Sequence, residues 1–306
     1  MTLIAFILIS ASLLLHSLWH FLCKSSGKSS MSFFALFSTS LFISMLPWGI
    51  ASGILFQIPW DIFKFAFIGA LCGVFCDVGL MLAYRSCDIS MAYPMARALP
   101  VFFTLLVTGI FHWGKELSSF SIVGMIIIFI GCICMAFTNP GNKLSLLEKL
   151  NSVRKGLLGI LIAAIGTTGY TVADSFGIKD IMEFAPAGHN TILTAAAYSV
   201  CREVVASSLL WVIVIGCNCC GKEKGVLKAL VKSYHPYASG VFAGAAYLLV
   251  LIAMIHVTNV SFVQAFRQLS LPVSALLGFI ILKEKVSALR LTALTVIMIG
   301  LIISVI

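Results

Sequence analysis

Apolar residues run along this chain in long continuous stretches, neither alternating as in a half-buried strand nor confined to the narrow stripe of a soluble helix. Ten such stretches are predicted as helices, at 3–22, 31–54, 64–85, 90–111, 119–138, 156–174, 190–216, 237–256, 261–282 and 288–306. Each approaches the roughly 20 apolar residues that carry a helix across a bilayer core of about 30 Å. The region 44–62 is the most interrupted, by Pro47, Pro59 and Asp61. A transmembrane barrel would need segments of about ten residues with alternating polarity, which these runs do not show. The first stretch lacks a basic segment before it, and Lys24 and Lys28 follow it, so it reads as a retained helix and not a signal peptide. The predicted fold is an all-α membrane protein.

The pattern repeats. A shift of 171 residues lays Gly69-x-x-x-Gly73 on Gly240-x-x-x-Gly244, Asp88-Ile89-Ser90 on Asn259-Val260-Ser261, and Leu105-Leu106 on Leu276-Leu277. A shift of 169 then aligns Leu117-Ser118 with Val286-Ser287, Gly131 with Gly300, and Lys115-Glu116 with Glu284-Lys285. Helices three to five thus recur as helices eight to ten. An odd number of spans per unit makes the second copy enter the membrane from the opposite side, so two five-helix repeats of inverted topology are expected. Their bounds are 1–138 and 156–306, joined by a hydrophilic linker at 139–155 that contains Asn139-Pro140-Gly141-Asn142.

Composition agrees with a lipid solvent: 60% of the 306 residues are hydrophobic and 10% charged, with a mean hydropathy of +1.09. Soluble domains carry about 25% charged residues. The excess of 20 Lys and Arg over 11 Asp and Glu does not indicate nucleic acid. In the ten-helix reading fourteen cations fall on one side and three on the other, a positive-inside bias that by itself puts both termini outside. The basic stretch 222–232 fits a short interfacial helix on anionic lipid. Most of the ten cysteines sit in apolar runs as small hydrophobes. The Cys217, Cys219 and Cys220 group has no zinc-type spacing.

The segment Asp88-Ile89-Ser90-Met91-Ala92-Tyr93-Pro94, with Ala96-Arg97 and Pro100, carries a family likeness. So do Leu271-Pro272-Val273 through Leu276-Leu277-Gly278 to Lys283-Glu284-Lys285, and His16-Ser17-Leu18-Trp19-His20. Together they resemble EamA-type members of the drug/metabolite transporter superfamily over nearly the whole chain. The resemblance implies ten helices, a central cavity between the halves and transport of small metabolites. It also implies cytosolic termini, against the charge count.

Ionisable groups inside a bilayer cost roughly 2.5–3.5 kcal/mol each and mark candidate sites. Asp77 falls inside the third helix, where its repeat position is Leu248. It is a proton or cation site, a counter-charge for a cationic substrate, or the fixed partner of Arg97 on the next helix. Arg202 and Glu203 lie mid-way along the seventh helix. Being adjacent, about 100° apart, they are expected to pair with other groups and not with each other. Ser199, Glu203 and Ser207 form one i, i+4 row and Tyr198, Arg202 and Ala206 its neighbour, a polar strip expected to face inward. Arg97 and Arg267 occupy corresponding helices, the latter with Gln264 and Gln268 beside it. They suit an anionic or zwitterionic substrate, or pairing with Asp77 and Glu203. His16, Trp19 and His20 share a face of the first helix, and Tyr170 and Asp174 lie in the sixth. They are expected to line the cavity or its mouth rather than hold a metal. Pro94, Pro100 and Pro272 kink their helices, and the two GxxxG pairs are expected to bring helices together.

No GxxxxGK[ST] loop, HExxH or GxSxG motif occurs. The expected activity is therefore secondary transport by alternating access, without ATP, cofactor or resident metal. Protonation of Asp77 or Glu203 is the expected coupling event, and exchange without proton coupling stays open. Export of amino-acid-like or other small polar compounds across the plasma (inner) membrane is the leading reading. A flippase or carrier for a lipid-linked polar substrate is the alternative. Enzymatic activity is not expected. The partners are a small-molecule substrate and membrane lipids, with homo-oligomer formation left open and no nucleic acid.

Overall fold

Helices account for every regular element of the computed structural model among the residues it describes, 2–26, 30–86, 89–136, 146–221, 223, 225–272 and 288–305. In chain order they are α1 (Leu3–Ser25), α2 (Met31–Ala51), α3 (Trp60–Ser86), α4 (Ile89–Ile110), α5 (Ser119–Ala136), α6 (Leu146–Phe184), α7 (Thr191–Cys219), α8 (Val226–Val231), α9 (His235–Ile255), α10 (Val260–Phe266) and α11 (Ala288–Ile303). A 3₁₀ turn at Leu55–Gln57 precedes α3, and another at Arg267–Leu269 continues α10. Cys87, Asp88, residues 139–145 of the expected linker and the repeat motif from Val273 to Ser287 lie outside the described residues.

The distribution of polarity is inverted relative to a protein in water. On α6, Ile165 is 62% exposed whereas Asp174, nine residues further on, is fully buried. Large apolar side chains such as Leu14, Ile43, Ile110 and Val212 cover the outside, while Arg97, Arg202, Glu203, Gln264 and Arg267 are inside. Five helices are long and apolar enough to cross a membrane: α2, α3, the Arg154–Phe184 part of α6, α7 and α9. Shorter apolar stretches are Leu3–Trp19, Pro94–Ile110, Ser119–Met135 and Ala288–Ile303.

Two helix starts differ from expectation. The second part of the predicted linker is helical, because α6 starts at Leu146 and is continuous for 39 residues to Phe184. The basic residues Lys149, Arg154 and Lys155 there belong to the first turns of a helix, and their charge had read as loop. Helix α3 begins at Trp60, directly after Pro59, whose carbonyl accepts from Ile62 and Phe63 at 3.1 and 3.0 Å. Asp61 in its first turn complements the helix dipole.

Small residues set the closest helix contacts. Along the α3–α6 seam a Cβ on Gly79 would meet the Gly159 carbonyl at 2.7 Å, one on Gly159 would meet the Gly79 carbonyl at 2.7 Å, and one on Gly166 the Cys72 carbonyl at 2.5 Å. The α5–α11 seam is built the same way, by Gly124 against the Gly300 carbonyl and Gly300 against the Gly124 carbonyl. Helix α2 lies along α7, stitched by polar groups: Ser38 Oγ donates to Glu203 at 2.9 Å, Trp211 Nε1 to Thr39 Oγ1 at 2.9 Å, and Thr39 and Ser207 share a bond of 2.9 Å. At one end of the bundle the buried Glu223, following α7, accepts from Met31 N at 2.8 Å and from Ser32 N and Oγ at 2.9 and 2.6 Å. It thereby satisfies the start of α2, while Arg85 of α3 reaches it at 3.3 Å.

Candidate functional site

Helix α7 is fixed at its start by Asn190, whose side chain accepts from Ile192 N at 2.9 Å and Leu193 N at 3.3 Å. Twelve residues of helix then carry Arg202 about 18 Å along the axis from this cap, at about 1.5 Å per residue. Asn259 performs the same task for α10: it accepts from Ser261 N at 2.9 Å and donates to the Lys115 carbonyl at 3.2 Å. The chain around it needs Gly114 (φ 91°), because a Cβ there would lie 2.7 Å from the Thr258 carbonyl. Arg267 follows two turns along α10. The expected polar strip of α7 is inside in full: Tyr198, Ser199, Arg202, Glu203, Ala206 and Ser207 are all buried.

These helices enclose a cavity of about 130 Å³. Its charged and polar wall comprises His16 of α1, Asp77 of α3, Arg97 of α4, Tyr170 of α6, Arg202 and Glu203 of α7, and Arg267. Trp19, Phe37 and Tyr247 supply aromatic surface. Of the sequence-predicted residues, Asp174, Gln264 and Gln268 lie buried behind this wall, and the side chain of His20 is outside the described set.

The deepest feature is a locked anion. Asp174 accepts from Tyr198 OH at 2.9 Å through Oδ1 and from Tyr247 OH at 2.6 Å through Oδ2, and pairs with Arg202 Nε at 3.1 Å. Arg202 also pairs with Glu203. That bond corrects the expectation that the two neighbours cannot meet: backbone directions 100° apart do not bound a guanidinium on a flexible stem, which here curls back over its own helix. Two carboxylates therefore compensate Arg202, one of them the expected partner on another helix and the other its own neighbour. Gly69 and Gly73 serve this cluster. A Cβ at Gly69 would collide with the Asp174 carboxylate, and one at Gly73 would lie 2.8 Å from Arg202 Nη2. Their spacing had suggested helix contact; the space they leave is filled by the charges instead. Gly240 does behave as expected, against the Phe37 carbonyl of α2.

Asp77 and Arg97 do not pair with each other. Arg97 Nη2 donates to Ser270 Oγ at 2.5 Å and to the Arg267 carbonyl at 3.2 Å, joining the two proline-containing segments. Asp77, partly buried on the cavity wall, engages in no hydrogen bond or ion pair among the described residues. Among the described residues Arg267 is held by no carboxylate, only by Tyr170 OH at 3.3 Å, His16 Nε2 at 3.3 Å and Gln264 Oε1 at 3.5 Å. Its Nε has no partner. Tyr170 and Tyr247 meet edge to face, with Arg202 at 5.3 and 4.9 Å from their centroids and Arg267 at 5.9 Å from both. Gln264 accepts from Thr171 at 3.4 Å, and Gln268 Nε2 donates to the Gln264 carbonyl at 3.0 Å.

Tyr247 and Ser38 escaped sequence reasoning as site members, and Tyr198 was read only as part of the inward strip. A tyrosine within a span, one residue from the repeat position of Asp77, was the available signal for Tyr247. No group of three or more His, Cys, Asp or Glu among the described residues could hold a metal ion.

No protein-family model matches this chain, and no curated protein matches it. Among solved structures it is similar to a crystal structure described only as that of a protein, with a TM-score of 0.70 and 18% identity, over 98% of this chain and 96% of that one. At that identity the likeness establishes a shared fold along almost the full length of both chains.

Proposed function

We propose that the protein is a secondary transporter of small polar metabolites, working by alternating access as an EamA-type member of the drug/metabolite transporter superfamily. The observation that carries this reading is the cavity: a small, charged chamber lined by α1–α4 and by α6, α7, α9 and the turn that continues α10. Four helices come from each expected half, while α5 and α11 pair with each other away from it.

The helix neighbours support an inverted repeat of ten spans. If α1 to α5 correspond in order to α6, α7, α9, α10 and α11, a two-fold operation exchanges the α3–α6 contact with α1–α9, and α3–α7 with α2–α9. The same operation maps α2–α7, α4–α10 and α5–α11 onto themselves. All seven contacts are present. Such symmetry supplies two related conformations, one open to each side. Asp77, a carboxylate on the chamber wall with no ion-pair partner among the described residues, is the group best suited to accept a coupling proton, because a charge is costly to keep in a poorly solvated place. The chamber volume lies below the roughly 300–1,000 Å³ of drug-sized pockets. That favours a small soluble cargo over a lipid-linked one.

The test is counterflow in proteoliposomes. Purified protein is reconstituted, vesicles are loaded with pooled metabolites, and uptake of labelled members is followed with and without a pH gradient. Saturable exchange that is lost in Arg202→Gln supports the transporter. Failure of every soluble pool, with movement of a labelled polar lipid between leaflets, replaces it with the flippase. A pH gradient without effect on uptake removes the proton from the cycle.

A further inference from the structure

The chamber is lined by charges of both signs. Arg97 and Arg267 stand on α4 and the turn after α10, whereas Asp77 and Glu203 stand on α3 and α7. The α7 side is a closed system: Arg202 sits between Asp174 and Glu203, so this trio retains one negative charge and holds its members in fixed places. Arg267 is the opposite case. It is buried and loosely held at 3.3–3.5 Å by a phenol, an imidazole and an amide, and its Nε is unpartnered. A guanidinium removed from water is stabilised by a carboxylate or a similar planar anion, bound bidentately. Among the described residues none lies within ion-pair distance of Arg267. Asp77, which lines the same chamber, has the complementary need for a cation.

From this juxtaposition we infer that the cargo is a small zwitterion, its anionic group on Arg267 and its cationic group on Asp77. This rests on the transport reading above and narrows it. A purely anionic cargo would satisfy Arg267 but place its remainder beside Asp77 and the net-negative trio. A purely cationic one would leave Arg267 uncompensated. A molecule carrying both charges satisfies both groups and adds no net charge to the chamber. The apolar remainder of the cargo meets Trp19, Phe37 and Tyr247.

The probes are three pools built on one set of skeletons: free α-amino acids, their N-acetyl derivatives (anions) and their methyl esters (cations). Binding to the full-length protein in detergent is read by thermal shift, and the strongest member of each pool is titrated by calorimetry. The free amino acids are expected to raise the unfolding temperature most. Asp77→Asn should weaken them about tenfold or more, equivalent to about 1.4 kcal/mol, without weakening the N-acetyl pool. Arg267→Gln should weaken them and spare the esters. Asp77→Glu, which keeps the charge, should retain the preference for the zwitterion and guards against a variant that merely misfolds. Equal binding of free and N-acetylated compounds, an Asp77→Asn variant with an unchanged ratio, or no binding by any pool overturns the inference. Counterflow separates the two claims. Movement of the N-acetyl pool alone leaves the transporter standing and removes the zwitterion. Tight, charge-selective binding of amino acids with no exchange across the membrane retains the zwitterion site and removes the transporter.

Discussion

Replacing Gly69 by alanine tests whether the Asp174 cluster is as rigid as its geometry states. At an unconstrained position inside a helix this substitution stabilises by about 1 kcal/mol, through reduced backbone entropy. At Gly69 the new Cβ would collide with Asp174 Oδ1 and lie 3.1 Å from Cγ, so the carboxylate has to move. It cannot do so freely, because Tyr198, Tyr247 and Arg202 hold it at 2.9, 2.6 and 3.1 Å. Losing one hydrogen bond to a charged group costs about 1.5–3 kcal/mol, and stretching the ion pair adds to it. The expected net effect is destabilisation by about 1–2 kcal/mol, opposite in sign to the ordinary glycine-to-alanine effect. The assay is the apparent unfolding temperature in detergent, followed by tryptophan fluorescence, within a double-mutant cycle. In the Asp174→Ala background the same Gly69→Ala change should be neutral or stabilising. Gly216→Ala, in α7 with nothing within 4 Å of the new Cβ, is the control expected to gain stability. A Gly69→Ala protein as stable as the parent, or an equal loss with and without Asp174, refutes the idea that the glycine exists to seat the carboxylate.

Three further outcomes are expected. Tyr247→Phe keeps the ring beside both guanidiniums and removes only the donor to Asp174, so it should cost about 1.5–3 kcal/mol in the same unfolding measurement; an unchanged midpoint would mean that the 2.6 Å bond contributes little. Glu223→Gln removes the charge from a group that accepts three bonds from the start of α2 and should lower stability by about 1–3 kcal/mol, with hydrogen exchange accelerating first at Met31–Phe33. Gly159→Val drives a side chain into the α3 backbone at Gly79 and Ala83 and should sharply reduce the monodisperse fraction in size-exclusion chromatography, whereas Gly216→Val should not.

The helices were legible in the sequence because a lipid solvent demands long uninterrupted apolar runs, and α2, α3, α7 and α9 follow those runs closely. Helix α6 was legible only in its middle. Its charged first turns looked like linker, and its continuation to Phe184 through Lys179, Asp180 and Glu183 looked like loop. With the helix ended at residue 174, Asp174 reads as a group at the cavity mouth; the longer helix carries it into the core. The residues of the site were largely visible as polar groups where none should be, but their partners were not. Helical periodicity states which face a residue occupies and says nothing of where a long side chain ends. Arg202 therefore met its own neighbour Glu203, and Arg97 reached across to Ser270 instead of Asp77.

The six ionisable groups of the described cluster comprise three guanidiniums, Arg97, Arg202 and Arg267, and three carboxylates, Asp77, Asp174 and Glu203. With all six ionised, their formal charges cancel. Moving one elementary charge through a membrane potential involves about 2.3 kcal/mol per 100 mV, a work term that a neutral cluster escapes. In an alternating-access cycle the empty protein would then reorient without voltage assistance or voltage opposition. Any current recorded during turnover would report the charge of the cargo and its co-moving ions alone.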